Sequence, residues 1–365
     1  MKWDFCLGNP PYQVSGTTNN KAEAVYPYFY EASEQIADKY ILISPARFLF
    51  NAGLTPKKWN EKMLSDEHIC VEKYFANASD VFPNTNINGG VAIVYRDSKH
   101  SFAPIDMFIP NEVLRKLAER FSTLGSSSLM SIIYGGRSDL KFNEAFLNEF
   151  PNTKEYILKT IQRKHPEIEV LGPNEEYELK SSSFERTPYA FFDVPEKNEK
   201  YYRILGVDKG TRVFKYVKKK YLSPRFPDAN NIDGYKVFLS NADGAAGQIG
   251  KPLPARIIGK PLIGEPGDSS IPTFMSIGNF ATKREAQNTE KYIQTRFVRV
   301  LLGILKITQH ITPATWKYVP LQDFTENSDI NWNTSIANID KQLYKKYGLS
   351  QEEIDFIETH VKEMV

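Results

Sequence analysis

The chain has few of the side chains that build disulfide frameworks or metal sites. Only 2 of its 365 residues are cysteines, and Cys6 and Cys70 lie far apart in apolar segments. This spacing excludes a disulfide framework and a zinc site, and it predicts two buried thiols in a reducing compartment. The 5 histidines are scattered, so we predict no metal centre; they are His68, His100, His165, His310 and His360.

Long apolar runs are also absent from the sequence. No stretch approaches the roughly 20 residues of a membrane span, and the N-terminus lacks the pattern of a secretory signal. We therefore expect a cytoplasmic protein that has no membrane partner. A length of 365 residues predicts two domains, and the net charge of +2 gives no global sign of a nucleic-acid partner.

A rigid tetrapeptide follows the first apolar segment of the chain. The segment Trp3–Gly8 runs into Asn9-Pro10-Pro11-Tyr12. We predict a short buried strand that ends abruptly, because two prolines neither donate to a strand ladder nor continue it. The four residues are then held at the carboxyl end of a strand, where α/β sheets place their ligands. By itself the tetrapeptide also fits a proline-stiffened turn without a function.

The tetrapeptide resembles the Asn/Asp-Pro-Pro-Tyr/Phe motif of amino-methyltransferases, which methylate an exocyclic nitrogen of adenine or cytosine in DNA. The lone pair of such an amine is delocalised into the ring, so the nitrogen is a poor nucleophile. The resemblance implies that the Asn9 side-chain oxygen and the Pro10 carbonyl accept hydrogen bonds from the two N–H groups of this amine. These hydrogen bonds favour a pyramidal nitrogen. Tyr12 would stack on a base rotated out of the duplex. With Pro11, these residues form the predicted catalytic set.

The residues after the motif alternate between helical and strand patterns. Continuous apolar runs between helical segments are typical of buried parallel strands and favour an α/β fold. Paired Gly and Asn residues before the last run predict a tight hairpin. The predicted elements are a helix over 24–38, a strand over 40–45, a helix over 56–64, a strand over 69–75 and a strand over 91–96.

This order of elements resembles the second, C-terminal half of the gamma-class N6-adenine DNA methyltransferase domain of restriction–modification enzymes (type IIG-like). The resemblance spans roughly residues 1–97. Its shared features are the motif strand, a strand of the Ile-Ser-Pro-Ala-Arg-Phe-Leu type, and the segment Val81-Phe82-Pro83 before the last strand. The resemblance implies that Phe82 contacts the flipped adenine opposite Tyr12.

The cofactor-binding half of that family is not found in this sequence. The family holds S-adenosylmethionine with a glycine-rich turn that joins a strand to a helix. The glycines within residues 88–90, 135–136 and 244–247 lack this strand–glycine–helix context. We therefore expect the main cofactor-binding loop to be absent, which leaves the cofactor-binding residues unknown. A separate protein chain is expected to supply this half; the alternatives are a remnant that lost it and a fragment of a longer enzyme.

Positive charge is concentrated in the middle of the chain. Residues 196–225 hold ten Lys/Arg and three Asp/Glu, with aromatic residues between them. Residues 251–306 hold nine basic and four acidic residues, whereas residues 321–365 hold four basic and nine acidic ones. Basic residues interleaved with aromatics are typical of a phosphate-contacting surface, and a solvated helix face is the alternative. The predicted contacts to double-stranded DNA are Arg212, Lys215, Lys218, Lys219, Lys220 and Arg225.

Taken together, these patterns predict an α/β protein with a partial Rossmann-like methyltransferase sheet, followed by an α+β target-recognition domain. Residues 142–165 and 282–306 are predicted to be helical, and the loop over 241–247 lacks bulky side chains, so it can approach a base or a backbone closely. The predicted domains are the C-terminal half of the catalytic domain (1–108), a linker helix with a Gly/Ser linker (109–131), the target-recognition domain (132–320) and a C-terminal helical segment (321–365).

The sequence therefore predicts a site-specific DNA adenine-N6 methyltransferase component of a restriction–modification system. A non-catalytic DNA-binding specificity module or remnant stays open, as does a relative that methylates RNA or protein glutamine, although the basic region argues against a protein substrate. A restriction nuclease needs a carboxylate pair and a lysine around a metal. Neither Glu167-Ile168-Glu169 nor Pro227-Asp228 has that lysine partner, so we expect no intact nuclease.

Overall fold

The computed structural model describes residues 2–14, 23–51, 55–83, 85, 87, 89–124, 127–245, 248–250, 252–307 and 309–364. The chain divides into two units, residues 1–115 and residues 116–365. Helices and strands are interspersed along both units, which confirms the predicted α/β class. The finer division at residues 108, 131 and 320 stays a prediction.

The first unit is built around a four-stranded sheet. Its elements are β1 (Trp3–Gly8), β2 (Gln13–Val14), β3 (Glu23–Ala24), α1 (Tyr26–Ile36), β4 (Ala37–Pro45), α2 (Lys57–Ser65), β5 (Ile69–Phe75) and β6 (Val91–Asp97). The strand order is β1-β4-β6-β5. Strands β1 and β4 run parallel, as predicted, and β6 runs antiparallel to both of its neighbours. The short strands β2 and β3 pair with each other just after the tetrapeptide.

An aromatic core fixes α1 and α2 against the sheet. Tyr30 of α1 is fully buried, and its ring meets the ring of Tyr40 on β4 edge-on at 5.6 Å between centroids. Edge-to-face pairs of this kind stabilise a fold by roughly 0.5–1.5 kcal/mol beyond the area they bury. This packing holds β4, and with it the carboxyl end of the sheet, in one position. The core aromatics are Tyr26, Tyr30, Tyr40, Phe48 and Trp59.

Strand β1 forms where the sequence predicts it, but the prediction that it is buried is wrong. It lies at the edge of the sheet and pairs with β4 alone among the described strands. Helix α1 packs on one face of β1, where Cys6 Sγ lies 3.5 Å from Ser33 Oγ. The side chains of the other face are largely uncovered: Trp3 is 73% exposed, Phe5 47% and Leu7 76%.

The prediction of two buried thiols is also wrong, because both cysteines lie on edge strands of the sheet. Cys6 on β1 and Cys70 on β5 are both free and only half-buried, because these strands are the two edges of the sheet. Partial burial and the neighbouring Glu72 carboxylate raise the pKa of Cys70 to about 12, so its thiol stays protonated at neutral pH.

Strands β5 and β6 are antiparallel neighbours, but the predicted tight hairpin between them is wrong. Residues 76–90 connect the two strands and include a short 3-10 turn, Ala78–Asp80. Gly89 and Gly90 end this connection, both with positive φ angles of 90° and 74°. We call residues 76–90 the Phe82 loop.

The second unit contains several small sheets and a helical layer. Helix α3 (Glu112–Arg120) spans the boundary between the units. The other elements are β7 (Ile133–Tyr134), β8 (Leu140–Phe142), α4 (Glu144–Glu149), α5 (Thr153–Gln162), α6 (Ser183–Arg186), β9 (Tyr201–Asp208), β10 (Thr211–Lys218), β11 (Leu222–Pro224), β12 (Tyr235–Ser240), β13 (Leu262–Gly264), β14 (Asp268–Ser270), β15 (Phe274–Phe280), α7 (Lys283–Gln294), α8 (Arg296–Leu305), α9 (Ile336–Lys346) and α10 (Gln351–His360).

The sheets of the second unit are mostly antiparallel. One has the order β13-β12-β15-β7, another β10-β9-β14, and β11 pairs with β8. The basic segment 212–218 lies on β10, which forms an antiparallel hairpin with β9. The alternative of a solvated helix face is therefore wrong.

Two predicted helices are broken in the structure. Within residues 142–165, a strand ends at Phe142 and two helices follow. Within residues 282–306, Thr295 adopts an extended conformation between α7 and α8, and its side chain accepts a hydrogen bond from Val298 N at 3.2 Å. The carboxylate of Asp340 on α9 accepts from Arg296 N at 3.0 Å and Phe297 N at 2.9 Å. A distant residue therefore caps α8, which a local pattern cannot show.

The two C-terminal helices form as the sequence predicts. Ser350 and Glu353 make the predicted capping box at the start of α10. Among the described residues, no helix has the length and apolar character that crossing a membrane requires.

Candidate active site

The tetrapeptide lies directly after β1, at the carboxyl end of that strand. Pro10 is buried, Asn9 and Pro11 are exposed, and Tyr12 is half-buried. The Tyr12 carbonyl accepts a hydrogen bond from Val25 N at 3.2 Å, and β2 begins at the next residue. The motif is thus held between the end of β1 and the β2–β3 pair.

The end of β4 lies beside the motif. Gly8 is in parallel register with Leu42, so the last residues of β4 continue along the same edge of the sheet. There the buried Ser44 hydroxyl lies 2.9 Å from Tyr30 Oη, which ties the end of β4 to α1. Two parallel carboxyl ends therefore meet at the motif.

The structure brings Tyr12 and Phe82 together. Their ring centroids lie 6.4 Å apart, with 65° between the ring planes. A planar base between two parallel rings needs about 7 Å between their centroids, since each van der Waals contact takes about 3.5 Å. The separation is close to this value, but the two rings meet edge-on, so a base between them would require the rings to reorient. The stacking role of both residues stays a prediction.

The Tyr12 hydroxyl is buried and has no hydrogen-bond partner among the described residues. Burial also raises the pKa of this phenol, so it is neutral at physiological pH. An unsatisfied buried hydroxyl destabilises a protein by roughly 1–3 kcal/mol. A bound group that offers an acceptor or a donor to Tyr12 Oη would remove this penalty.

The side chain of Asn9 is open to a ligand. It makes no hydrogen bond to another described residue, and no described backbone amide donates to the Pro10 carbonyl. The two oxygens named as acceptors thus have no hydrogen-bond partner among the described residues, although Asn9 is exposed and Pro10 is buried. This is the arrangement that an incoming amine with two hydrogens requires.

The end of the Phe82 loop is fastened to the segment that follows β4. Ala46 N donates to the Gly90 carbonyl at 3.0 Å, and Tyr74 Oη donates to the Gly89 carbonyl at 3.3 Å. A Cβ on Gly90 would overlap the Phe75 carbonyl oxygen, so only glycine fits there. The sequence shows these glycines, but it does not show that they anchor the loop that carries Phe82.

The basic residues predicted to bind DNA are mostly engaged with carboxylates. Lys215 Nζ lies 2.9 Å from Asp208, and Lys218 Nζ lies 2.9 Å from Glu196. These hydrogen bonds raise the pKa of both lysines. Much of the local charge excess that the sequence shows is therefore neutralised on this surface.

The remaining predicted DNA-contacting residues differ in whether their side chains are paired with a carboxylate. Lys220 Nζ lies 2.9 Å from Glu149, and Arg225 makes a bidentate pair with Glu178 at 3.0 and 2.7 Å. Lys219 is exposed, with Nζ 4.6 Å from the centre of the Tyr202 ring. Arg212 contacts Asp243 at 3.5 Å. The structure thus spreads the six residues over several ion pairs rather than over one open cationic face.

The glycine turns in the described residues do not fit a methyl-donor cofactor. Gly90 and Gly244 both have positive φ, but protein carbonyl oxygens fill the space where a ligand would approach. Gly136 has open space around it but follows the two-residue strand β7 and opens no helix. These turns therefore lack the strand–glycine–helix cradle of a nucleotide cofactor.

Comparison with known proteins supports a methylase segment at the N-terminus. The family model of the Eco57I restriction-modification methylase matches residues 1–82, which include the tetrapeptide and Phe82. An uncharacterized adenine-specific methylase of Mycoplasma pneumoniae is 32% identical over 95 residues, which is 25% of this chain and 22% of that protein. The chain thus matches less than a quarter of the length of this relative. The N-terminal segment is similar to restriction–modification methylases, and its relative carries an adenine-specific name.

Proposed function

We propose that this chain carries the amine-activating and DNA-recognising part of an adenine-N6 DNA methyltransferase of a restriction–modification system. The observation that carries the proposal is the Asn9–Tyr12 turn at the carboxyl end of β1, with Phe82 opposite Tyr12. The similarity of residues 1–82 to a restriction–modification methylase supports the same function.

In the proposed reaction, Asn9 Oδ1 and the Pro10 carbonyl accept hydrogen bonds from the two N–H groups of the adenine amine. The Asn9 side chain is exposed, and the two prolines restrict the backbone of the turn. Directed acceptors of this kind stabilise the amine as positive charge develops on it during attack, without reorganisation at the moment of reaction. Tyr12 and Phe82 would hold the extruded base between their rings, which positions the amine at Asn9.

The proposed cofactor is S-adenosylmethionine, which supplies an electrophilic methyl group. The described glycine turns do not fit it, so we propose that its binding site belongs to a separate half of the enzyme. The uncovered edge of β1 supports this proposal, because an edge strand with an exposed apolar face is a template for another strand. Trp3, Phe5 and Leu7 form that face.

The six basic residues from Arg212 to Arg225 remain proposed contacts to duplex DNA. Contact through Lys215, Lys218 or Lys220 requires an existing ion pair to open, which offsets part of the gain from a phosphate. Lys219 has no carboxylate partner among the described residues, so it can meet a phosphate without this cost.

Phe82→Ala is expected to lower kcat/KM for DNA methylation by roughly five- to 150-fold, which corresponds to the 1–3 kcal/mol of one base–aromatic stack. The assay is methyl transfer by the assembled enzyme to a duplex that contains its recognition site. Phe102→Ala is the matched control, since Phe102 is a half-buried aromatic of the same unit that packs on Tyr95 and His100. Equal losses in the two variants would show that Phe82 acts only through packing.

A further inference from the structure

Two arginines from separate segments of the sequence converge on one carboxylate of a third segment in the second unit. Asp243, in the loop after β12, receives an ion pair from Arg256 and lies 3.5 Å from an Arg212 guanidinium nitrogen. Gly244 N also donates to Asp243 Oδ1 at 2.6 Å. Arg212 belongs to the first basic region, Arg256 to the second, and Asp243 to the loop that lacks bulky side chains. We call Asp243, Arg212, Arg256 and Lys306 the Asp243 cluster.

Lys306 adds a third cation to this place. Its ammonium group is buried and donates to the Ala245 carbonyl at 2.5 Å. Burial lowers the pKa of Lys306 to about 8; the Asp243 carboxylate counters this shift, and Arg256 adds to it. Two arginines therefore pair with Asp243, and the buried Lys306 adds a third positive charge that interacts with the same carboxylate.

The cluster is both held in position and reachable from solvent. Arg212 Nη1 donates to the Lys260 carbonyl at 2.5 Å, which orients the guanidinium beside Asp243. A Cβ on Gly259 would overlap the Asp243 carboxylate, so the backbone packs directly against it. The Arg256 side chain nevertheless remains 60% exposed. An exposed guanidinium fork with donors to spare is suited to a phosphate oxygen pair.

We propose that the Asp243 cluster binds a backbone phosphate of duplex DNA, and that Asp243 occupies the two arginines while DNA is absent. The proposal rests on the proposed DNA-methylating function and names a contact site for its substrate. Asp243 then acts as an internal competitor of the phosphate. Removal of the Asp243 carboxylate should therefore strengthen DNA binding. If Asp243 only held the arginines in place, the same change would lower DNA affinity or stability.

The test is fluorescence anisotropy of the full chain with a labelled duplex oligonucleotide over a series of salt concentrations. Arg256→Ala is expected to weaken binding by roughly threefold at low salt and to reduce the log–log salt slope by about 0.9, the value for one phosphate contact. Asp243→Asn is expected to tighten binding and to steepen that slope. Arg284→Ala is the matched control, because Arg284 is 51% exposed and is paired with Glu326 at 2.6 Å.

Each outcome bears on a different claim. Unchanged affinity and slope in Arg256→Ala, or weaker binding in a folded Asp243→Asn, would overturn the cluster as a phosphate site. Absence of binding by the unmodified chain would instead count against the proposed function.

Inorganic phosphate, added at constant ionic strength, should compete poorly with the duplex. Strong competition that depends on Arg256 would show a site for small anions and would overturn the assignment to DNA. Since Arg256 is exposed, its variant stays informative if Asp243→Asn does not fold.

Discussion

Asn9→Ala is expected to lower methyl transfer by at least about a hundredfold while the affinity for duplex DNA stays the same. The side-chain oxygen of Asn9 meets the amine, where positive charge develops in the transition state, and loss of one preorganised group of this kind typically reduces kcat by 10²–10³. Because the base is held by stacking and by phosphate contacts, the ground state of the complex is little affected. The measurement is single-turnover methylation by the assembled enzyme, together with a binding isotherm for the same duplex.

Gln13→Ala is the control for this variant. Gln13 is exposed, lies next to the tetrapeptide and is given no role in the reaction. We expect wild-type turnover from it. A fall in DNA affinity as large as the fall in activity for Asn9→Ala would contradict a role in the transition state.

Gly90→Ala is expected to destabilise the first unit by about 2–4 kcal/mol, the combined cost of a strained backbone and an overlap. Gly90 has a φ of 74°, and an added Cβ meets the rigid Phe75 carbonyl of β5. The measurement is urea unfolding, with hydrogen exchange resolved to β5 and β6.

Gly89→Ala provides a graded comparison for this effect. Its φ of 90° is also positive, but the nearest atom to an added Cβ is Arg47 Cγ at 2.8 Å, on a flexible side chain that can move. We expect a cost of about 1–2 kcal/mol, mainly from the backbone. If Gly89→Ala proves as costly as Gly90→Ala, the close packing at Gly90 is not what anchors the Phe82 loop.

The sequence predicts the elements of the first unit well because their signals are local. Two prolines after an apolar run mark the end of β1, and the apolar segment 40–45 lies within the central strand β4. The edge position of β1 could not be predicted in this way. Apolar side chains on both faces favour a central strand, but burial depends on which elements lie on either side.

The same limit applies to the charges of the second unit. The composition shows where cations accumulate along the chain, but not which carboxylates meet them in space. Lys220 pairs with Glu149 across 71 positions of sequence, and Arg256 reaches Asp243 from the other side of a loop. Likewise, the start of α8 after Thr295 is capped by Asp340, which lies on another helix. Long-range partners of this kind decide which cations remain available to DNA.

The candidate site could be predicted from the sequence in part. The resemblance of Asn9-Pro10-Pro11-Tyr12 to a known motif singles out the turn, and it also implies a partner for Tyr12 at Phe82. The structure adds the 6.4 Å ring separation and the anchored end of the Phe82 loop. Neither distance nor anchoring follows from the spacing of these residues in the chain.

The central claim is tested most directly by mapping N6-methyladenine across the genomic DNA of the source cells by long-read sequencing. Cells that lack the coding sequence are complemented with the wild-type chain or with Asn9→Ala, so any separate half of the enzyme is present in both. We predict that one short DNA sequence carries N6-methyladenine with the wild-type chain and loses it with Asn9→Ala. An identical methylation map in the two strains would contradict the account.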